Sequence, residues 1–129
     1  MTIPSYLEFL PAPLRARIDA SAEPVPAVPG LRVARGLRAA FPHLLTDEAL
    51  WRADLDPARP ARSLDPDEVR RLHRTIRSTL RTLQRRGGSH TGDLMGERVR
   101  GGRCPCDGAP LLRRTIGGRT TYSCPRHQR

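Results

Sequence analysis

The chain has 129 residues, of which 37% are hydrophobic and 4% aromatic, and it carries a formal net charge of +10. That size bounds it to one domain or two very small ones, with a thin core of the kind that small chains reinforce with a staple such as a metal. Every one of its 23 basic residues is Arg; this excludes lysine Schiff-base chemistry and favours a polyanionic partner, most simply nucleic acid.

The N-terminal stretch "PSYLEFLPAPLRARIDA" predicts a short amphipathic helix from about Pro13, using Leu14 and Ile18. Glu8, Arg15 and Arg17 stand among its prolines, which does not fit a signal peptide. No run approaches the roughly 20 apolar residues of a membrane span, so a cytoplasmic location is expected. "SAEPVPAVPG" reads as a semi-rigid Pro-rich linker. Helix signal returns in "LRVARGLRAAF" and is expected to end at Pro42.

The next segment, "LLTDEALWRADLDPARPARSL", predicts a short helix with Thr46 as its cap, Asp47 and Glu48 at its positive end, and Leu50 and Trp51 on its apolar side. Asp56-Pro57 and Arg59-Pro60 then impose turns. "DPDEVRRLHRTIRSTLRTLQRRGG" carries a capping box of Asp65 and Glu68 around Pro66. Its Val69, Leu72, Ile76, Leu80 and Leu83 recur on one helical face, and Gly87-Gly88 stops it. Arg70, Arg71, Arg74, Arg77, Arg81, Arg85 and Arg86 cover the remaining surface, read as a solvated face with one or two phosphate contacts near an end. The expected core is Leu45, Leu50, Trp51, Val69, Leu72, Ile76 and Leu80.

Residues 89–103 read as a loop. "LLRRTI" and "RTTYS" have strand composition, and Gly117-Gly118 between them makes a hairpin. Two half-motifs flank it: Cys104-Pro-Cys106-Asp107 and Cys124-Pro-Arg-His127. The three Cys all follow residue 103, which suits metal ligation better than a disulfide framework. Two ligand sets reach four: Cys104, Cys106, Cys124 and His127, or the same set with Asp107 in place of Cys106. The first is softer but needs a tight C-x-C turn, and the second contains one harder donor. A hairpin that stands without metal is the remaining alternative.

Together, "LLTDEALWRADLDPARPARSLDPDEVRRLHRTIRSTLRTLQRRGG" and "CPCDGAPLLRRTIGGRTTYSCPRHQR" resemble the C-terminal half of the formamidopyrimidine-DNA glycosylase and endonuclease VIII family. The resemblance spans roughly residues 43–129. It implies a mainly α fold, with a helix–two-turns–helix module followed by a small C-terminal β-hairpin of zinc-ribbon type. The implied organisation is a variable segment over 1–42 with one or two short helices, a DNA-binding module over 43–88, and a loop plus ribbon over 89–129. It further implies zinc as cofactor and double-stranded DNA, including lesion-bearing DNA, as partner. A monomer is expected, associated with a bacterial nucleoid, with no small-molecule substrate and no membrane contact. Arg119 matches the family's phosphate-contacting hairpin Arg, with His43, Arg113 and Arg114 as further DNA-binding candidates.

The sequence also departs from the family pattern. The family's catalytic nucleophile is an N-terminal proline followed by Glu, whereas Pro4 here is internal and Glu8 is not beside it. No catalytic residue is therefore assigned. The glycines of the family's G-x-G-N turn are replaced by Ala40-Phe41-Pro42-His43, with His43 at the Asn position. In the family's register the first ligand pair becomes Cys104 and Asp107, and the second Cys124 and His127. The expectation is a truncated member that binds damaged or abasic DNA without catalysis of its own. The alternatives are a glycosylase or lyase whose catalytic half comes from elsewhere, and a basic RNA- or ribosome-associated protein.

Overall fold

The computed structural model describes residues 31–129 apart from Ala40, Pro42 and the side chain of His43. The expected helix from Pro13 and the Pro-rich stretch after it fall outside these residues. In chain order the elements are helix α1 (Val33–Arg38), helix α2 (His43–Arg52), helix α3 (Pro66–Arg86) and two strands, β1 (Leu112–Ile116) and β2 (Arg119–Ser123). Single 3-10 turns lie at Ala61–Ser63, Ser89–Thr91 and Met95–Glu97.

Helix α3 begins and ends where the sequence places it. The Asp65 carboxylate accepts from the Glu68 backbone N–H at 2.8 Å, and Glu68 accepts from the Asp65 N–H at 3.0 Å. Gly87, at φ 103°, closes the other end in the left-handed conformation that L side chains avoid. Val69, Leu72, Ile76 and Leu83 are buried, and Leu80 packs partly against them. The same cluster takes Leu45, Ala49 and Leu50 from α2, Val33, Ala34 and Leu37 from α1, and Ile116 from the hairpin. Residues 31–61 close around it through backbone bonds from Val33 to the Arg59 carbonyl and from Ala61 to the Leu31 carbonyl, both 2.8 Å.

Glu68 has a second task. The Arg59 guanidinium grips it bidentately at 2.6 and 3.0 Å, tying the 56–63 loop to the start of α3. That hydrogen bond lowers the Glu68 pKa from 4.5 to about 2. A carboxylate depressed in this way contributes stability that is present above its unfolded pKa and is lost as pH falls through the folded one. We therefore expect wild-type stability to decline between pH 4.5 and about 2. Glu68→Gln should lose about 1–2 kcal/mol at neutral pH and flatten that decline, as read by urea denaturation at several pH values.

The sequence reading of α2 needs correction. The helix starts at His43, so its first turn holds no acidic residue and Thr46 is not its cap. Thr46, Asp47 and Glu48 are buried within the helix. The two carboxylates serve tertiary contacts instead of the helix dipole. Glu48 accepts from the backbone N–H groups of Asp93 and Leu94 at 3.2 and 2.9 Å and from Arg52 at 2.6 Å, which docks the 92–94 loop. Helix α1 also stops at Arg38, short of the expected end at Pro42. Trp51 leaves the expected core and joins a second buried cluster with Leu94, Cys104, Ala109 and Cys124. A large ring with one N–H suits a site where that donor has a partner, and Cys104 supplies it.

The strands form one antiparallel ladder with Ile116 opposite Arg119 and Leu112 opposite Ser123. The turn between them is Gly117-Gly118, at φ 60° and 78°. Both torsions are positive, as a tight two-residue hairpin requires. Among the described residues, no helix is long and apolar enough to cross a membrane.

Candidate metal centre and nucleic-acid interface

Each end of the hairpin carries a short knuckle. In the first, the Gly108 N–H donates to the Cys104 carbonyl at 2.8 Å, and the Cys104 N–H donates to the Ala109 carbonyl at 2.8 Å. Residues at i and i+3 of such a turn face the same side, so Cys104 and Asp107 converge. Asp107 is fixed by the Ala109 N–H at 2.9 Å. In the second, the Gln128 N–H donates to the Cys124 carbonyl at 3.2 Å, while the Gln128 side chain accepts from the Cys124 N–H at 2.6 Å. Its amide also donates to the Leu55 carbonyl at 2.9 Å, anchoring the knuckle to the loop after α2.

This geometry gathers Cys104, Asp107, Cys124 and His127, with one potential ligand atom from each lying within 4.8 Å of all the others. His127 Nδ1 is 3.0 Å from Asp107 Oδ2 and 3.7 Å from Cys104 Sγ, and Cys124 Sγ is 3.2 Å from Asp107 Oδ2. The two sulfurs are buried and the other two groups half-buried. Cys106 is exposed and stands outside the group.

The surroundings suit a metal as well as the donors do. His127 Nε2 stands 3.2 Å from the Trp51 carbonyl. With a metal bound, a hydrogen on Nε2 would donate there and leave the Nδ1 lone pair to ligate, the arrangement that orients metal-binding histidines. The Trp51 indole N–H donates to Cys104 Sγ at 3.2 Å. The Ala109 N–H, His127 and the two thiols hold the Asp107 carboxyl well below the usual range, so it is anionic. Burial pushes the Cys124 thiol up to about 11 in the metal-free chain.

At the other end of the hairpin the surface is basic. Arg119 is exposed at the first position of β2, directly after the turn, whereas Arg113 is exposed nearer the base, opposite Tyr122 on the other face of the ladder. Arg114 is engaged: its guanidinium donates to Asp56 at 2.9 Å and to the Ser123 hydroxyl at 2.8 Å, bracing the hairpin against the loop after α2. His43 opens α2, and its side chain is outside the described residues.

Sequence reasoning passed over two residues here. The Arg35 side chain lies so close to Gly117 that a Cβ there would meet its methylenes at 3.3–3.4 Å, so a second Arg flanks the turn beside Arg119. Arg38 donates to the Ile116 carbonyl and the Thr121 hydroxyl. Burial lowers the Arg38 pKa; Asp47 opposes this, and the charges of Arg119 and Arg98 add to it. The available signal was the i, i+3 Arg pair in "RGLR", which puts both side chains on one face of α1.

Behind the hairpin sits Asp47, with its side chain fully buried. It pairs with Arg98 at 2.9 Å and Arg38 at 3.6 Å, and it accepts from the Tyr122 N–H at 3.2 Å. Arg98 in turn lies over the Tyr122 ring at 5.1 Å. One carboxylate thus ties α1, α2, the 95–98 turn and β2 together behind the hairpin.

No protein-family model matches the chain. The formamidopyrimidine-DNA glycosylase of Thermus thermophilus is 35% identical over 148 aligned residues, covering 95% of this chain and 54% of that protein. The enzyme of the same name from Roseiflexus sp. is 35% identical over 117 residues, covering 80% and 43%. The chain spans about half the length of the curated relatives it matches. Among solved structures, Lactococcus lactis Fpg (MutM) in complex with an oxidized pyrimidine containing DNA matches with a TM-score of 0.67 at 25% identity, over 78% of this chain and 42% of that one. A complex of Lactococcus lactis Fpg with DNA containing an abasic site gives the same TM-score at 23% identity and supports the fold. By sequence and by fold, the chain belongs with the C-terminal part of the formamidopyrimidine-DNA glycosylase family.

Proposed function

We propose that this chain is a DNA-gripping module of the base-excision repair type, binding duplex DNA at damaged or abasic sites without removing a base on its own. The observation that carries the reading is the hairpin tip. Arg119 is exposed directly after the two-glycine turn, Arg35 packs against Gly117, and the Asp47 network joins α1 to β2, the elements that carry them. Guanidinium groups on a fixed support fork onto phosphate oxygens. Similarity to a protein bound to lesion-bearing DNA supports the same partner.

Zinc belongs to this reading. The donor set Cys104, Asp107, Cys124 and His127 has the residue types and closeness that a four-coordinate structural site needs. The ion would clamp the two knuckles and hold the hairpin between them; its role is structural, and no chemical step passes through it. Binding would displace the Cys124 proton, so zinc affinity should fall as pH is lowered. Residues 43–88 and 89–129 would then be the two gripping units, with Arg119 at the hairpin tip and Arg113 nearer the base on the opposite face of the ladder.

The test is binding of the purified chain to abasic and intact duplexes across a salt series. The reading expects tighter binding to the abasic duplex and a steep loss of affinity with salt. Arg119→Ala should weaken binding to both duplexes about tenfold and reduce the salt slope by about 1. Equal affinity of wild type and Arg119→Ala would remove the hairpin from the interface. Tighter binding to structured RNA than to either duplex would favour the ribosome-associated alternative.

A further inference from the structure

The Arg residues of α3 are not uniform. Arg71 donates to the Ala53 carbonyl at 2.8 Å, and Arg86 pairs with Asp93 at 2.8 Å. Arg70, Arg74, Arg77, Arg81 and Arg85 are all exposed. At about 100° per residue these five positions fall within a wedge of roughly 80°, forming one stripe along the helix. At ~1.5 Å per residue the stripe is about 22 Å long. Asp67 pairs with Arg70 at its start. Among the described residues, no carboxylate is in ion-pair contact with Arg74, Arg77, Arg81 or Arg85.

This arrangement costs the free protein stability. Arg70 and Arg74, Arg77 and Arg81, and Arg81 and Arg85 are like charges at i, i+4, each destabilising a helix by about 0.2–0.5 kcal/mol. Arg74 and Arg77 add a repulsive i, i+3 pair. A bound polyanion would relieve all of them together.

The stripe faces away from the hairpin tip, and only Arg74 lines a pocket that also contains Cys106 and His127 of the knuckles. It lies opposite the Val69, Leu72, Ile76 and Leu83 face, and that face covers the cluster containing Ile116. The hairpin tip therefore stands on the other side of α3, and one ligand cannot easily reach both surfaces.

We infer that the Arg70–Arg85 stripe of α3 seats the phosphate backbone of a second duplex segment while the hairpin face holds the first, so that one chain bridges two stretches of DNA. The bridging rests on the proposed hairpin interface, but the stripe itself does not. The regularity of the stripe selects the partner: charges of one sign recur every 3 or 4 residues, about 4.5–6 Å along the axis. A nucleic-acid strand offers phosphates at equally regular spacing, and the guanidinium fork fits them. An acidic protein surface mixes donors, acceptors and signs and would not call for such a ladder.

The experiment uses the full chain with donor-labelled and acceptor-labelled duplexes of about 20 base pairs, long enough for either surface. Energy transfer between the duplexes reads bridging, sedimentation confirms a single protein chain per complex, and a salt series reads each binding step. The variant is Arg77→Glu with Arg85→Glu, which turns the 74/77, 77/81 and 81/85 pairs into attractions, so it should fold at least as well as wild type. We expect wild type to bridge and the double variant to lose the transfer signal while binding one duplex within about threefold of wild type. The salt slope of the second binding step should also fall by about 2 or more. Arg119→Ala should weaken the first step and leave the stripe's step intact. Absence of bridging by wild type, or equal bridging by the double variant, overturns the inference. Loss of all duplex binding in the double variant, with none in Arg119→Ala, would keep the stripe as a DNA surface and discard the hairpin reading instead.

Discussion

Cys124→Ser should abolish stoichiometric zinc binding and lower apparent stability in zinc-containing buffer by about 3 kcal/mol or more, because a structural metal contributes folding energy outright. Cys124 is fully buried between the two knuckles and touches Asp107, while its backbone is held by Gln128. No other described thiol stands ready to take its place, since Cys104 is already in the group and Cys106 is exposed outside it. In the presence of a strong chelator, wild type and variant should converge, which separates loss of the metal from a packing defect. The donors should rank unequally. Asp107→Cys replaces the hardest ligand with a soft one at the same i+3 position, and should tighten zinc binding about tenfold or more. Cys106→Ser should change zinc affinity by less than about twofold, because that side chain faces solvent. Metal competition with a chromophoric chelator measures all three. A large effect at Cys106 together with none at Asp107 would mean that the C-x-C set closes the site.

The second large effect is expected at Asp47. Its carboxylate is taken out of water, and burial raises its pKa although the Tyr122 N–H, Arg98 and Arg38 all lower it. The desolvation cost is therefore not fully offset by the pairing, and the network is not a strong source of net stability. Removing one member is a different matter. Asp47→Ala would leave Arg98 and Arg38 facing each other around an unpaired Tyr122 N–H, at a cost of about 3–5 kcal/mol. For a domain whose whole stability is about 5–15 kcal/mol, that approaches unfolding at physiological temperature. Asp47→Asn retains one acceptor and should cost less. Chemical denaturation of both variants gives the comparison, and amide exchange in β2 should rise with the same ranking. Equal stability of Asp47→Ala and wild type would show that the network does not hold the hairpin.

Local signals were legible in the sequence wherever one short stretch determines the outcome. The Asp65–Glu68 box, the Val69-to-Leu83 spacing and the Gly117-Gly118 turn each need only a few neighbouring residues, and each forms as read. The i, i+3 convergence of Cys104 with Asp107, and of Cys124 with His127, is of the same kind. Long-range choices were not legible. Asp47 and Glu48 look like helix-start residues, and only the arrival of Arg98, Tyr122 and Leu94 from more than 40 positions away makes them buried acceptors. Trp51 fits the apolar side of its helix, yet Cys104 accepts its indole N–H and draws it into the cluster with Cys124. Arg35 becomes part of the hairpin surface only because α1 folds against the turn.

The same dependence would connect the proposed zinc group to the proposed DNA surface, because the hairpin that carries Arg119 has the two knuckles at its base. The most direct measurement is duplex affinity and bound zinc determined on one sample, before and after chelation and again after zinc is restored. The account predicts about one zinc per chain, a loss of duplex affinity of about tenfold or more on its removal, and recovery on its return. A chain that carries no zinc as purified and binds the duplex equally well with or without it would contradict the account.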